Sequence, residues 1–371
     1  MRSSLVMIPL PSIKILKLKK RAKVGQISKI KVGNKTYTNS TVKDGFYDSI
    51  SQLKTTKVQP VGNRFEDLVR EYENILEVCK HGAKIPPISE KEAFDNLENV
   101  KPSVNYLYGV TAYHYKYAGP AGYRHFFLLL NCLLQDIHNT TIDEINSAYA
   151  CILFKGHKKD KSSSRSYRTI STCPIVTKGL DLYIIDLHIK SWNSDQAETQ
   201  FQGEGSSHDL AAVLLTESIE YSLHTLNQPV YILYLDAQSA FDVVQNELLV
   251  SNLFHCSTTD HSLLYINNRL NSRKTFLDWE GQLMGPIHDQ QGLEQGGVNS
   301  SDFYKIFGKE QLTTSQDSKL GIPLRNVSVS SIGQADDTVL ISNDLRSLQF
   351  LLLLTKNFCD KYQVKICGEK N

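Results

Sequence analysis

Apolar and polar positions along the chain follow two periods, and the switches between them mark its elements. Residues 24–60 alternate apolar and polar side chains (Val24, Ile27, Ile30, Val32) around Gly33-Asn34, the pattern of a short hairpin or a linker. Asn63-Arg64-Phe65-Glu66 has the form of a capping box. After it, Phe65, Leu68, Val69, Tyr72, Ile75, Leu76 and Cys79 fall on one helical face, and Gly82 can end that helix. Pro86-Pro87 breaks the chain, and a very apolar helix is predicted over residues 125–136. Alternation returns at 148–154, followed by a basic, Ser-rich stretch to Arg165 and by Tyr167-Arg168-Thr169-Ile170, which reads as strand, loop, strand.

Three segments further on carry acids or glycines at the ends of apolar runs. Val230 to Leu235 is a short apolar run suited to a buried strand, with Asp236 at its carboxyl end. A carboxylate there is costly unless it is paired or binds a metal. Val327 to Ile332 and Thr338 to Ser342 flank Gln334-Ala335-Asp336-Asp337, which reads as strand, tight turn, strand with two adjacent carboxylates in the turn. Gln291 to Phe303 holds Gln295-Gly296-Gly297 before a predicted helix start at Asp302. Glycines let a backbone approach a ligand closely, and a glycine-rich turn opening a helix can hold phosphate. Each segment alone is an ordinary turn or cap.

Composition narrows the class. The 371 residues are 41% hydrophobic and 22% charged, as in globular chains. The seven cysteines are scattered and none forms a CxxC pair, which excludes a disulfide scaffold or a zinc ribbon and makes a reducing, intracellular compartment the expectation. No apolar run approaches the roughly 20 residues that span a bilayer, so no membrane partner is expected. The formal net charge of +2 conceals an asymmetry. Residues 1–35 hold ten basic side chains and no acid, so the rest of the chain is net acidic. The densest stretch includes Lys17, Lys19, Lys20, Arg21 and Lys23. Such an arm suits a polyanion or a nuclear-import receptor, which favours the nucleus over the cytoplasm.

The acidic segments gain meaning together. Carboxylates from separate strands can hold a pair of Mg²⁺ ions through oxygen ligands. Two such ions about 4 Å apart stabilise the attacking and leaving oxygens of an in-line phosphoryl displacement. The basic loop upstream offers cations to a triphosphate.

In this order the segments resemble the reverse transcriptase domain of non-LTR (LINE-type) retrotransposons. Leu235-Asp236-Ala-Gln-Ser-Ala-Phe241-Asp242 is similar to motif A, Gln295-Gly296-Gly-Val-Asn-Ser300 to motif B, Ala335-Asp336-Asp337 to motif C, and 361–370 to motif D. Leu153-Phe-Lys155 and Tyr167-Arg168-Thr-Ile-Ser171 resemble the strands that grip the incoming nucleotide, and Gln202 to His208 the segment preceding motif A.

The resemblance implies an α+β fold, the fingers and palm of a right-hand polymerase around a central antiparallel sheet, ending after motif D without a thumb. It divides the chain into a basic extension and linker (1–60), a helical linker (61–94) and the reverse transcriptase domain (95–371, fingers to about 180, palm beyond). It implies RNA-directed DNA polymerase activity on an RNA template, a DNA primer and dNTPs. Asp236 and Asp336 would bind two Mg²⁺ ions, Mn²⁺ being a possible substitute, with Asp337 in support. Lys155 and Arg168 would contact the triphosphate, and Phe241 would reject a ribose 2′-hydroxyl. Gln295 and Gly296 would shape the pocket, and Lys370 would stand near the leaving pyrophosphate. The alternative is a domesticated remnant that binds nucleic acid without turnover. The chain departs from the family pattern at Gln334 (usually aromatic), Glu294 (usually basic), Ser301 (usually Pro) and Thr169 (often Pro).

Overall fold

The computed structural model describes residues 27–57, 64–100, 109–135, 145–156, 159–201 and 207–366. β1 (Lys29–Val32) and β2 (Lys35–Thr38) form an antiparallel hairpin across Gly33-Asn34. α1 (Val42–Thr55) folds back over it. A Cβ at Gly45 would lie 2.5 Å from the Ile30 side chain, so helix and strand meet this closely only because residue 45 has none. Ile30 and Phe46 then share a small core with Ile152 and Tyr167, which ties the hairpin and helix to the strands beyond residue 145.

α2 (Arg64–Lys80), α3 (Glu90–Asn99), α4 (Ala112–Tyr117) and α5 (Gly119–Gln135) follow. Along α2 the stripe from Phe65 to Cys79 is buried or half-buried while Glu66, Arg70, Glu73 and Glu77 are exposed, as its period predicts. The apolar helix begins at Gly119 rather than His125. Its fully buried Phe126 and Leu130 press on Gly179 of α6 (Ile175–Ser194), where a Cβ would meet the Phe126 ring at 2.6 Å.

The remaining elements are β3 (Ser147–Phe154) and β4 (Tyr167–Thr172) before α6, then α7 (His208–Glu220), β5 (Tyr231–Gln238), α8 (Asn246–His255) and α9 (Asp260–Asn271). β6 (Lys274–Trp279), β7 (Gln282–His288) and α10 (Ser300–Asp317) come next. Short strands β8 (Ile322–Leu324), β9 (Val327–Val329) and β10 (Ser331–Gln334) lead to β11 (Asp337–Ser342), α11 (Leu345–Tyr362) and β12 (Lys365–Ile366).

Two four-stranded sheets organise these pieces. One has the order β4-β3-β6-β7, with β3 parallel to β6 and its other pairs antiparallel. The other, β10-β11-β5-β12, is antiparallel throughout. One face of the second sheet packs Leu235 and Leu340 on Leu348 and Leu351 of α11. The opposite face packs Ile232, Val339 and Ile341 on Leu214 and Leu215 of α7. The class is mixed helix and strand with small sheets, as the sequence implied. Among the described residues no helix is long and apolar enough to cross a membrane.

Candidate active site

The site starts from the register of two strands. The Cα of Asp236 on β5 lies opposite that of Asp337 on β11, and Leu235 opposite Thr338. Gln334 of β10 pairs with Asp337, so Ala335 and Asp336 alone make the link between β10 and β11. Ala335 turns the chain with φ 53°. Only Asp336 therefore occupies the turn, whereas Asp337 is the first residue of a strand. Side chains alternate along a strand, so Asp236 and Asp337 share a face with Tyr234 and Val339. That face is covered by α7 at Ile232 but open at Tyr234, which is 69% exposed. β5 is thus not the fully buried strand expected from its apolar run, because among the described residues no helix covers its second half on one side. The other face remains packed on α11, which holds both acidic positions on a rigid floor. Asp336, at the tip, lines a cavity with Tyr304, Leu235 and Ala237 on the α10 side.

Like charges directly opposite on paired strands are destabilising. The arrangement therefore favours a cation. Among the described residues no group of three or more His, Cys, Asp or Glu is gathered tightly enough to hold a metal by itself. The donors present are hard carboxylate oxygens from adjoining positions, which fit Mg²⁺ in its usual mode at phosphate sites, with one or two carboxylates and the remaining ligands from substrate and water.

Beyond β5 the chain enters a 3-10 turn, Ala240–Val243. Phe241 stands on this turn and stacks on Tyr304 of α10, with ring centroids 4.8 Å apart and planes at 21°. Burial pushes the Tyr304 hydroxyl well above the ordinary phenol range, and the nearby Asp336, Cys359 and Asp337 add to the shift. The loop after β7 clasps the same turn: Gly292 N–H donates to Val244 O at 2.7 Å and Leu293 N–H to Phe241 O at 2.7 Å. Gly292 has φ 90°, and a Cβ there would sit 2.9 Å from the Asp242 carbonyl oxygen.

The glycine turn then docks on the first sheet. Ser171 N–H of β4 donates to Gln295 O at 2.8 Å. Gly296 has φ 107°, and its absent Cβ would lie 2.8 Å from Ser171 O. The Gln295 amide donates weakly to Asp242 Oδ2 at 3.4 Å. Burial pushes the Asp242 carboxyl up, while Lys54 and then Lys155 pull it down. Lys155, exposed at the end of β3, donates through Nζ to Arg165 O at 3.0 Å, so its chain lies along the basic loop. Arg168 on β4 is exposed and pairs in register with Leu153. Phe241, Gln295 and Gly296 are thus linked through Asp242 and Ser171, with Lys155 acting on the Asp242 carboxyl and Arg168 three residues before Ser171 on β4. Lys370 and the arm residues Lys17, Lys19, Lys20, Arg21 and Lys23 lie outside the described residues, as does most of the segment from Gln202 to His208.

Several charged residues behind this region are buried, and of them only Glu294 stood out in the sequence, as a departure from the family pattern. Asp289 is fully buried and its Oδ2 accepts from Lys54 Nζ at 2.6 Å, Arg273 Nε at 2.6 Å and Thr275 Oγ1 at 2.9 Å. Glu294 lies buried 3.7 Å from Arg269 and 3.9 Å from Arg273. An acid where the family pattern has a base is therefore matched by two internal arginines. Spacing along the chain does not distinguish these ions from solvated surface charges; only packing does.

The family described as Reverse transcriptase (RNA-dependent DNA polymerase) matches residues 157–371, a span that takes in β4, the acidic tip, the Phe241 turn and the glycine turn. No curated protein matches the chain.

Proposed function

The chain belongs to the reverse transcriptase (RNA-dependent DNA polymerase) family. On that premise we propose that it extends a DNA primer along an RNA template, the primer 3′-oxygen displacing pyrophosphate from the α-phosphorus of a dNTP. The motif order further supports assignment to the non-LTR type. The observation that carries the reading is the register that sets Asp236 against Asp337, with Asp336 adjoining at the hairpin tip.

Asp236 and Asp336 would hold two Mg²⁺ ions, or Mn²⁺ in their place, with Asp337 in support. Such ions supply charge neutralisation at the attacking and leaving oxygens when bound. The protein's own groups do the rest by positioning. Lys155 and Arg168 bind the triphosphate from the exposed end of the β3–β4 pair. Gln295 and Gly296 form a backbone wall against which the nucleotide rests, glycine at 296 letting the turn seat closely on β4. The Phe241 ring, braced by Tyr304, fills the space a 2′-hydroxyl would need. Lys370 is assigned to the pyrophosphate side, and the basic arm to the phosphate backbone of the template.

Primer extension on an RNA template with dNTPs and Mg²⁺ tests this reading. Template-dependent extension that Asp236→Ala abolishes is the expected result. Salt-sensitive nucleic-acid binding with no incorporation by the wild type would overturn the polymerase reading in favour of a binding remnant.

A further inference from the structure

The end of α1 is joined to the loop that carries the glycine turn by three contacts. Lys54 Nζ meets Asp289 Oδ2 at 2.6 Å, Gln290 N–H donates to Lys54 O at 2.8 Å, and the Gln291 amide donates to Leu53 O at 3.2 Å. The Lys54 side chain is only 6% exposed and that of Asp289 is not exposed at all. A lysine this buried is retained only against a well-placed counter-charge, since the desolvation penalty is several kcal/mol per ion.

Asp289 faces two cations, Lys54 and Arg273, the second of which also has Glu294 at 3.9 Å. Lys54 is also the leading opposite charge acting on the buried Asp242 carboxyl. From Asp289 the chain runs directly into Gly292 and Leu293, whose amides hold the Phe241 turn, and on to Gln295 and Gly296. Arg273 Nη2 fixes the same loop by donating to Gly292 O at 2.7 Å.

We infer that Lys54, outside the span the family match covers, is a positioning residue for the nucleotide pocket: through Asp289 and the backbone contact to Gln290 it sets the placement of the glycine turn against the Phe241 turn, and so the affinity for the incoming dNTP. The inference rests on the polymerase reading for its kinetic consequence and on the α1 contacts alone for its structural one. Residues 27–57 are then a working part of the polymerase, not an appendage to it.

The test compares full-length wild type, Lys54→Met and Lys54→Arg. Steady-state incorporation of dTTP on poly(rA)·oligo(dT) is expected to show KM for dTTP raised about tenfold or more in Lys54→Met, kcat within about twofold, and KM largely restored in Lys54→Arg. Hydrogen exchange should show the Gly292 and Leu293 amides losing protection in Lys54→Met while β5 and β11 keep theirs. An unchanged KM, or a fall in kcat at constant KM, overturns the inference. Should Lys54→Met fail to fold, Thr275→Val removes one uncharged donor from Asp289 and leaves both cations. It is expected to raise KM by about two- to fivefold, and no change in KM or exchange overturns the inference. If the wild type incorporates nothing, the polymerase reading fails by itself, and the exchange of Gly292 and Leu293 still decides whether Lys54 anchors the loop.

Discussion

Phe241 and Tyr304 lie ring on ring at 4.8 Å, although one follows β5 and the other belongs to α10. Tyr304 is buried and also touches the Phe307 ring region at 6.0 Å, so the brace behind Phe241 is part of the main core. If Phe241 is the sugar gate proposed above, removing its ring opens the space that a 2′-hydroxyl needs. Phe241→Ala is expected to lower discrimination against rNTPs by about 10- to 100-fold, the range for loss of a steric contact in a pocket. Tyr304→Leu should lower it less, and Tyr304→Phe, which keeps the stack, should leave it unchanged. Ratios of kcat/KM for dNTP and rNTP decide; an unaltered ratio in Phe241→Ala removes Phe241 from the role of sugar gate.

The opposed carboxylates of Asp236 and Asp337 separate activity from stability. Asp236→Asn should abolish primer extension, about 1000-fold or more, because loss of a charge-stabilising group at a phosphoryl-transfer centre costs several kcal/mol. The same change relieves a cross-strand repulsion and should raise stability by about 0.5–1 kcal/mol in metal-free buffer. Asp242→Ala, which removes the carboxyl that accepts from the Gln295 amide, should lose activity only modestly. Thermal melts in chelator beside extension assays test the pair. A less stable Asp236→Asn protein would show that the repulsion is not felt.

The motif-bearing strands were legible in sequence because acids at the ends of apolar runs are conspicuous, and β5 and β11 formed close to where the pattern set them. The run from Val327 to Ile332 instead divides into β9, paired with β8, and β10, paired with β11. The alternation from Ala148 and the Tyr167 strand were legible for the same reason. Three features were not. Ser147 pairs with Lys274 in a parallel ladder, a contact between distant parts of the chain that no local period encodes. Tyr234 lies exposed within an apolar run because coverage by α7 ends before it. Lys54 and Glu294 read as surface charges in a sequence, since the arginines and carboxylates that neutralise them come from distant segments.

Asp242 gives the fold a pH dependence of definite sign. Burial raises its carboxyl above the ordinary value of 3.8, against the pull of Lys54 and Lys155. The native state therefore binds this proton more tightly than the unfolded chain, and the group withdraws stability as pH rises from about 4 through the native pKa. Asparagine mimics the neutral form. Asp242→Asn should thus gain stability relative to wild type with rising pH, the difference in Tm widening as pH rises above about 4. A Tm difference that does not vary with pH would mean that the Asp242 carboxyl titrates alike in both states.

Gly296 tests the docking of the glycine turn on β4. Its φ of 107° and the 2.8 Å approach of a Cβ to Ser171 O leave no room for alanine. Gly296→Ala should destabilise the turn by about 1–3 kcal/mol and break the bond from Ser171 N–H to Gln295 O. Activity should fall through a raised KM for dNTP, whereas Gly308→Ala, where a Cβ meets nothing within 4 Å, should behave as wild type. Equal kinetics for the two alanine variants would sink this account of the turn.

Glu294 offers the sharpest test of the buried charges. It lies 3.7 Å from Arg269 and 3.9 Å from Arg273, and Arg269 is shared with buried Asp181 at 3.5 Å. The family pattern calls for a base at this position, yet a lysine here would add a third cation to two that are already enclosed. Breaking a buried pair in this way costs about 3–5 kcal/mol, so Glu294→Lys should shift the urea midpoint strongly downward at constant m. Glu294→Gln, which removes the charge but keeps the shape, should cost about 1–3 kcal/mol. A Glu294→Lys protein as stable as wild type would mean that the internal arginines do not depend on this carboxylate. The substitution toward the usual family residue is therefore expected to harm this chain, because Arg269 and Arg273 have made the acid at 294 part of its own core.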